Sequence, residues 1–150
     1  METIYDVLSQ EHKHVLSMFE EAMSSGSKEI LFRIKAEIDL HMEGEEKLYY
    51  PLLEEKEESR DIARKAYIEH NEERALMYEL EGMGKKSENW TARLNELKEV
   101  ITHHVQDEEG QIFEKSRNIL SQQQVGELTL KYLEFKKNYM RKIEAGESLT

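Results

Sequence analysis

His41-Met42-Glu43-Gly44-Glu45-Glu46-Lys47-Leu48-Tyr49-Tyr50-Pro51 places a histidine and a glutamate four residues apart in a strongly helical stretch. Four residues on an α-helix turn through about 400° and rise about 6 Å, so His41 and Glu45 lean from one face, one turn apart. One cation can touch both. The pattern returns at His104-Val105-Gln106-Asp107-Glu108-Glu109, again with an aromatic residue five positions after the glutamate, Tyr50 in the first copy and Phe113 in the second. Two half-sites suggest one shared centre.

Around these stretches the chain reads as all-α. It is 35% charged and 38% hydrophobic with a single proline, too apolar for disorder and too poor in turn residues for a β-sandwich. Its 150 residues suit a single domain able to bury its own core. The absence of cysteine excludes disulfides and thiolate metal sites, leaving His, Asp and Glu as strong ligands. A formal charge of −11 argues against nucleic acid and anionic membranes as partners and favours cations. With no signal-like N-terminus and no apolar run near the roughly 20 residues of a membrane span, a cytoplasmic location is expected.

Five helices emerge from periodicity. The first is predicted to start at Thr3, with Asp6 completing the cap, and to end at Ser24-Ser25-Gly26-Ser27; its stripe is Tyr5, Leu8, His12, Val15, Phe19 and Ala22. The second, after Ser27, carries Leu31, Ile34, Ile38, His41, Glu45, Leu48 and Leu52, with a kink or end expected at Pro51, beyond the ligands. A third helix, capped by Ser59 or Asp61 and closed by Gly82-Met83-Gly84, turns Ala63, Ala66, His70, Met77 and Leu80 inward. On it Glu73 falls within the stripe and Arg74 at its rim. The fourth begins near Ser87 and reads Trp90, Leu94, Leu97, Ile101, His104, Glu108 and Ile112. After a break near Asn118, the capping box Ser121-Gln122-Gln123-Gln124 opens a fifth, carrying Val125, Leu128, Tyr132, Phe135 and Tyr139 outside the bundle, with fraying expected from Ala145.

A lone histidine on a helix face more often packs or faces solvent than binds metal. Here His12, His41, His70 and His104 all fall in apolar stripes, whereas His14 and His103 do not. Burying such groups without partners costs several kcal/mol. Four imidazoles and two carboxylates are too many for one tetrahedral zinc and suit two metals sharing carboxylates. Iron is the first choice, with manganese or zinc as substitutes. Glu11-His12 and Glu69-His70 add a weak internal repeat, so that two helical hairpins would face each other with three ligands each. Tyr49, Tyr50 and Phe113 read as a dry apolar wall. A ferritin-like carboxylate site needs Glu-x-x-His twice, and only Glu11 to His14 fits.

The order of these pieces resembles the hemerythrin-like (HHE cation-binding) domain: a histidine in helix 1, His-x-x-x-Glu before an aromatic-Pro in helix 2, a histidine in helix 3, and His-x-x-x-Glu in helix 4. The resemblance runs over about residues 3 to 116. It implies an up-and-down four-helix bundle around a non-haem di-iron centre, here with an added helix at about 121 to 144. Carried over, His12 and His41 would bind one iron, His70 and His104 the other, with Glu45 and Glu108 as bridges. Oxygen-carrying members have a second histidine one turn after the helix 3 ligand, where this chain has Arg74, and an aspartate five residues after the helix 4 histidine, where it has Glu108 at four. The ligand set is similar instead to di-iron proteins that repair iron centres after nitrosative or oxidative stress, though their cysteine-containing N-terminal segment is not seen. The expected ligand is oxygen, peroxide or nitric oxide, bound or turned over in a stress response; the competing expectation is iron storage, delivery or sensing without turnover.

Overall fold

The computed structural model describes residues 2–83 and 88–146, nearly all of them helix, turn or cap. Helix α1 is Ile4–Ser25. Helix α2 runs through Lys28–Gly44, a π-helical turn Glu45–Tyr49, and Tyr50–Glu54. Helix α3 is Glu57–Gly82. Helix α4 repeats the plan of α2 as Glu88–Asp107, a π-helical turn Glu108–Ile112, and Phe113–Ile119. Helix α5 is Gln122–Ala145. The bundle of α1 to α4 with an added C-terminal helix is the architecture expected from sequence. No helix among the described residues is long and apolar enough to cross a membrane.

The ends obey local chemistry. The Thr3 amide donates to Asp6 Oδ2 at 2.9 Å, and Gly26 closes α1 at φ 65°, a left-handed conformation that suits a residue without Cβ. Ser27 caps α2. Ser121 Oγ accepts from the Gln124 amide, and the Gln124 side chain accepts from the Ser121 amide. At α3 the expectation fails: the helix starts at Glu57, and Ser59 lies buried inside the first turn, its hydroxyl donating to the Leu53 carbonyl at 2.5 Å. Asp61 is further inside still. Gly84 and Ser87, expected to end α3 and begin α4, lie outside the described residues, as do the last four positions of the tail. Ala145 is helical and Gly146 caps it.

The π turns bring a larger correction. Helix α2 neither ends nor first deviates at Pro51; its irregularity begins at Glu45. In a π turn each amide reaches five residues back, as Tyr50 does to the Glu45 carbonyl, and one extra residue is fitted into the turn. That residue rotates the remainder of the helix, so Tyr49, Tyr50 and Leu53 are buried while Leu48 and Leu52 stay half-buried. Pro51 has no amide hydrogen to give. The Glu46 carbonyl five residues before it takes the Tyr67 hydroxyl instead, at 3.3 Å.

Two apolar clusters sandwich the polar layer. One packs Val15, Phe19, Ile34, Ile38, Leu94 and Ile101; the other packs Tyr5, Leu8, Tyr49, Tyr50, Phe113 and Tyr132. Helix α5 lies against α1 and α2 because Gly44 has no side chain: a Cβ there would come within 2.5 Å of the Tyr132 ring and 3.3 Å of Phe135.

Candidate metal centre

Among the described residues, nine histidine and glutamate side chains are buried between these clusters: His12, His41, His70 and His104 with Glu11, Glu45, Glu69, Glu73 and Glu108. His14 and His103 are 59% and 66% exposed, as their positions off the stripes predict. Five carboxylates facing four imidazoles leave an excess of negative charge in a dry core, which is costly unless a cation or protons balance it.

The inner atoms converge. His12 Nε2 lies 3.2 Å from His41 Nε2 and 3.1 Å from Glu108 Oε1. Glu45 Oε1 lies 3.1 Å from His41 Nε2 and 3.2 Å from His70 Nε2. Glu108 Oε2 is 3.5 Å from His104 Nε2. Despite these approaches, both Glu45 oxygens and His104 Nε2 make no hydrogen bond among the described residues. Lone pairs pointed at a common centre without hydrogen-bond alignment are what a cation needs, so the donor set fits a metal. The atoms group into two sets, His12, His41 and Glu108, and Glu45, His70 and His104, each with its atoms within 4.8 Å of one another. The two histidines of each set come from one hairpin and the glutamate from the other. A third set joins buried Glu69 to His103 and Asp107 at the bundle edge, with Lys65 on Asp107.

An outer ring aims the imidazoles, and sequence reasoning missed it. His41 Nδ1 bonds to Glu11 at 2.7 Å, His104 Nδ1 to Glu69 at 2.8 Å, His70 Nδ1 to Glu46 at 2.7 Å, and His12 Nδ1 to Glu109 at 2.6 Å. A carboxylate on Nδ1 fixes the tautomer that leaves Nε2 facing inward. The four acids obey the internal repeat: Glu11 and Glu69 each precede a histidine of α1 or α3 and serve the other helix of their hairpin, while Glu46 and Glu109 each come directly after a candidate bridge. The signal was present in the Glu-His and Glu-Glu pairs. Helix α5 adds to the ring, for Tyr132 Oη and Lys136 Nζ donate to Glu11 at 2.5 and 2.9 Å.

The repeat breaks in three places. Tyr50 Oη donates to Glu108 Oε2 at 2.5 Å, so this ring is more than the wall expected; its counterpart Phe113 has no hydroxyl for Glu45. Arg74 is rim-placed, as expected, and donates to Glu46 at 2.8 Å. Glu73 is inward, also as expected, and lines a cavity of about 30 Å³ with His70, His104, Val15, Ile38 and Ile101.

Electrostatics reflect this crowding. Burial disfavours charged His41, but the charge of Glu45 and the neighbouring Glu108 and Glu11 carboxylates outweigh it and raise its pKa well above the usual value. Burial likewise opposes and Glu108 and Glu69 overcome it at His104, pushed up to about 11. Glu11, although desolvated, is held down to about 2 by His41, Tyr132 and Lys136. Glu73 goes the other way: burial raises it, and the more distant His104, His70 and His41 offset only part.

A helical bundle closed on a buried layer of histidines and carboxylates defines a cation-binding class. The chain belongs to the hemerythrin family: it matches the hemerythrin HHE cation binding domain over residues 3–116. It is 26% identical over 125 residues to a DNA nickase of a Nostoc species, covering 81% of this chain and 35% of that protein. It is 27% identical over 115 residues to an uncharacterized hemerythrin-like protein of Schizosaccharomyces pombe, covering 73% of this chain and 57% of that one. The chain thus spans about a third and somewhat over half of these relatives. No solved structure matches it.

Proposed function

We propose that the chain is a non-haem di-iron protein whose centre binds or reacts with a small ligand, oxygen, peroxide or nitric oxide. His12 and His41 would hold one iron, His70 and His104 the other, and Glu45 and Glu108 would lie between them. The observation that carries this reading is the pair of converging donor sets, with buried oxygens of Glu45 that accept no hydrogen bond among the described residues. Iron held by imidazole and carboxylate supplies redox chemistry and a place for a small ligand. The residues do the rest. Glu11, Glu46, Glu69 and Glu109 orient the rings, the two apolar clusters exclude water, and the cavity beside His70 and His104 admits only a small molecule.

Nicking of DNA belongs to the name of one relative, of which this chain covers 35%. A net charge of −11 opposes phosphate binding, and that activity is not carried over.

The test is anaerobic reconstitution with ferrous iron, metal analysis, and absorbance after addition of oxygen, peroxide or nitric oxide. Two irons per chain and a ligand-dependent spectrum are expected, with His41→Ala and His104→Ala each lowering the iron content. Unchanged stoichiometry in both variants sinks the proposal. Repeated turnover marks an enzyme; release of iron without turnover marks storage or delivery.

A further inference from the structure

Among the buried acids of the described residues, Glu73 alone has no assigned task. Glu11 and Glu69 hold imidazoles, and Glu45 and Glu108 converge on Nε2 atoms. Glu73 does neither: the set Glu45, His70 and His104 closes without it, and its Oε2 has no hydrogen-bond partner among the described residues. It is 4% exposed, and it faces the cavity.

The internal repeat shows that the fold does not require an acid there. Three residues after His12 stands Val15; three residues after His70 stands Glu73. Val15 and Glu73 line the same cavity from opposite hairpins, and apart from the histidines and Glu11 the rest of the wall is apolar, formed by Ile38, Met42, Ile101 and Val105. A lone carboxyl group facing apolar side chains is destabilising unless something in the cavity bonds to it. The space of about 30 Å³ exceeds the roughly 10–15 Å³ that one water requires.

We propose that Glu73 is the specificity-determining wall of this cavity and makes the site select a small ligand carrying its own O–H, of which hydrogen peroxide is the probe, over diatomics that carry no hydrogen. This inference rests on the di-iron reading above. Hydrogen peroxide donates a hydrogen bond to a carboxylate and both donates to and accepts from a neutral carboxyl, so it satisfies Glu73 in either form. Nitric oxide and dioxygen donate nothing. Arg74 does not compete for the role, because its guanidinium is held outside by Glu46 and Asn71.

The experiment compares the iron-loaded protein with Glu73→Val, which copies Val15, and Glu73→Gln, which keeps a polar amide. Stopped-flow absorbance follows hydrogen peroxide binding to the ferric protein and nitric oxide binding to the ferrous protein, and iron content is measured on each. Loss of one hydrogen bond to a charged or polar group predicts that Glu73→Val weakens peroxide binding about tenfold or more, with nitric oxide changed less than about twofold and Glu73→Gln within about threefold of the parent. Iron content stays unchanged, and metal-free Glu73→Val is at least as resistant to urea as the parent. Parallel changes for the two ligands, no change for either, or a fall in iron content in both variants would overturn the assignment. A parent protein that responds to neither ligand would instead overturn the di-iron reading, and the inference with it.

Discussion

The Tyr50 hydroxyl donates to Glu108 Oε2 at 2.5 Å, whereas Phe113, at the equivalent place on the other hairpin, gives Glu45 nothing. The two candidate bridges are therefore unequal: one is tied to the protein on its outer side and the other has both oxygens free of hydrogen bonds among the described residues. Tyr50→Phe removes the tie and should lower the stability of the metal-free protein by about 1–3 kcal/mol, since it strips a buried carboxylate of a donor. Urea denaturation without metal measures this. A variant as stable as the parent would show that Glu108 draws its support from the histidines alone.

Glu69→Gln and Glu11→Gln test the outer ring. Each keeps the shape but removes the charge behind an imidazole, and metal affinity should fall about 10- to 100-fold while the number of ions bound stays the same. Competition with a chromophoric chelator reads the affinity. Lost stoichiometry would mean that these acids are ligands themselves.

The raised histidines set a pH dependence with a definite sign. His41 and His104 have folded-state pKa values above the unfolded value near 6.5, with His104 at about 11. Their contribution to metal-free stability is fully present below pH about 6.5 and is lost as pH rises toward the folded values. Glu11, held down to about 2, contributes stability that is present above about pH 4.5 and lost as pH falls toward 2. A metal ion must displace the protons on the imidazoles, so its binding strengthens as pH rises and releases protons. Denaturation midpoints between pH 5 and 10, with and without metal, should diverge as pH increases. Parallel curves would contradict this.

Gly44→Ala should disturb the site from a distance. The added Cβ meets the buried Tyr132 ring, and overpacking of this kind costs about 1–3 kcal/mol. It also pushes Tyr132 Oη from Glu11, so metal affinity should drop with stability. Gly110→Ala, at a position with open space around it, is the control and should do neither.

The helical stripes carry much of this in the sequence. Steps of three and four place His12, His41, His70 and His104 inward and His14 and His103 outward, because an unbroken α-helix keeps its phase. Phase fails where a residue is inserted, and no residue type announces a π turn; hence periodicity assigns Leu48 and Leu52 to a face that Tyr49, Tyr50 and Leu53 occupy. Glu11, Glu46, Glu69 and Glu109 are hard to recognise because a carboxylate beside a ligand in sequence serves a histidine on another helix. Only the packed bundle reveals the pairing. Tyr132 and Lys136 are hidden for the same reason, on a helix that reads as peripheral.

The paired π turns make the cage a repeated unit. Each hairpin carries one Glu-His step, one His-x-x-x-Glu-Glu run and one inserted residue starting at its glutamate, and each imidazole Nδ1 finds its carboxylate by the same rule. A cage built this way needs only one kind of hairpin, used twice. Tyr50 against Phe113 and Glu73 against Val15 are where the two hairpins differ, and they give an otherwise symmetric cage a direction.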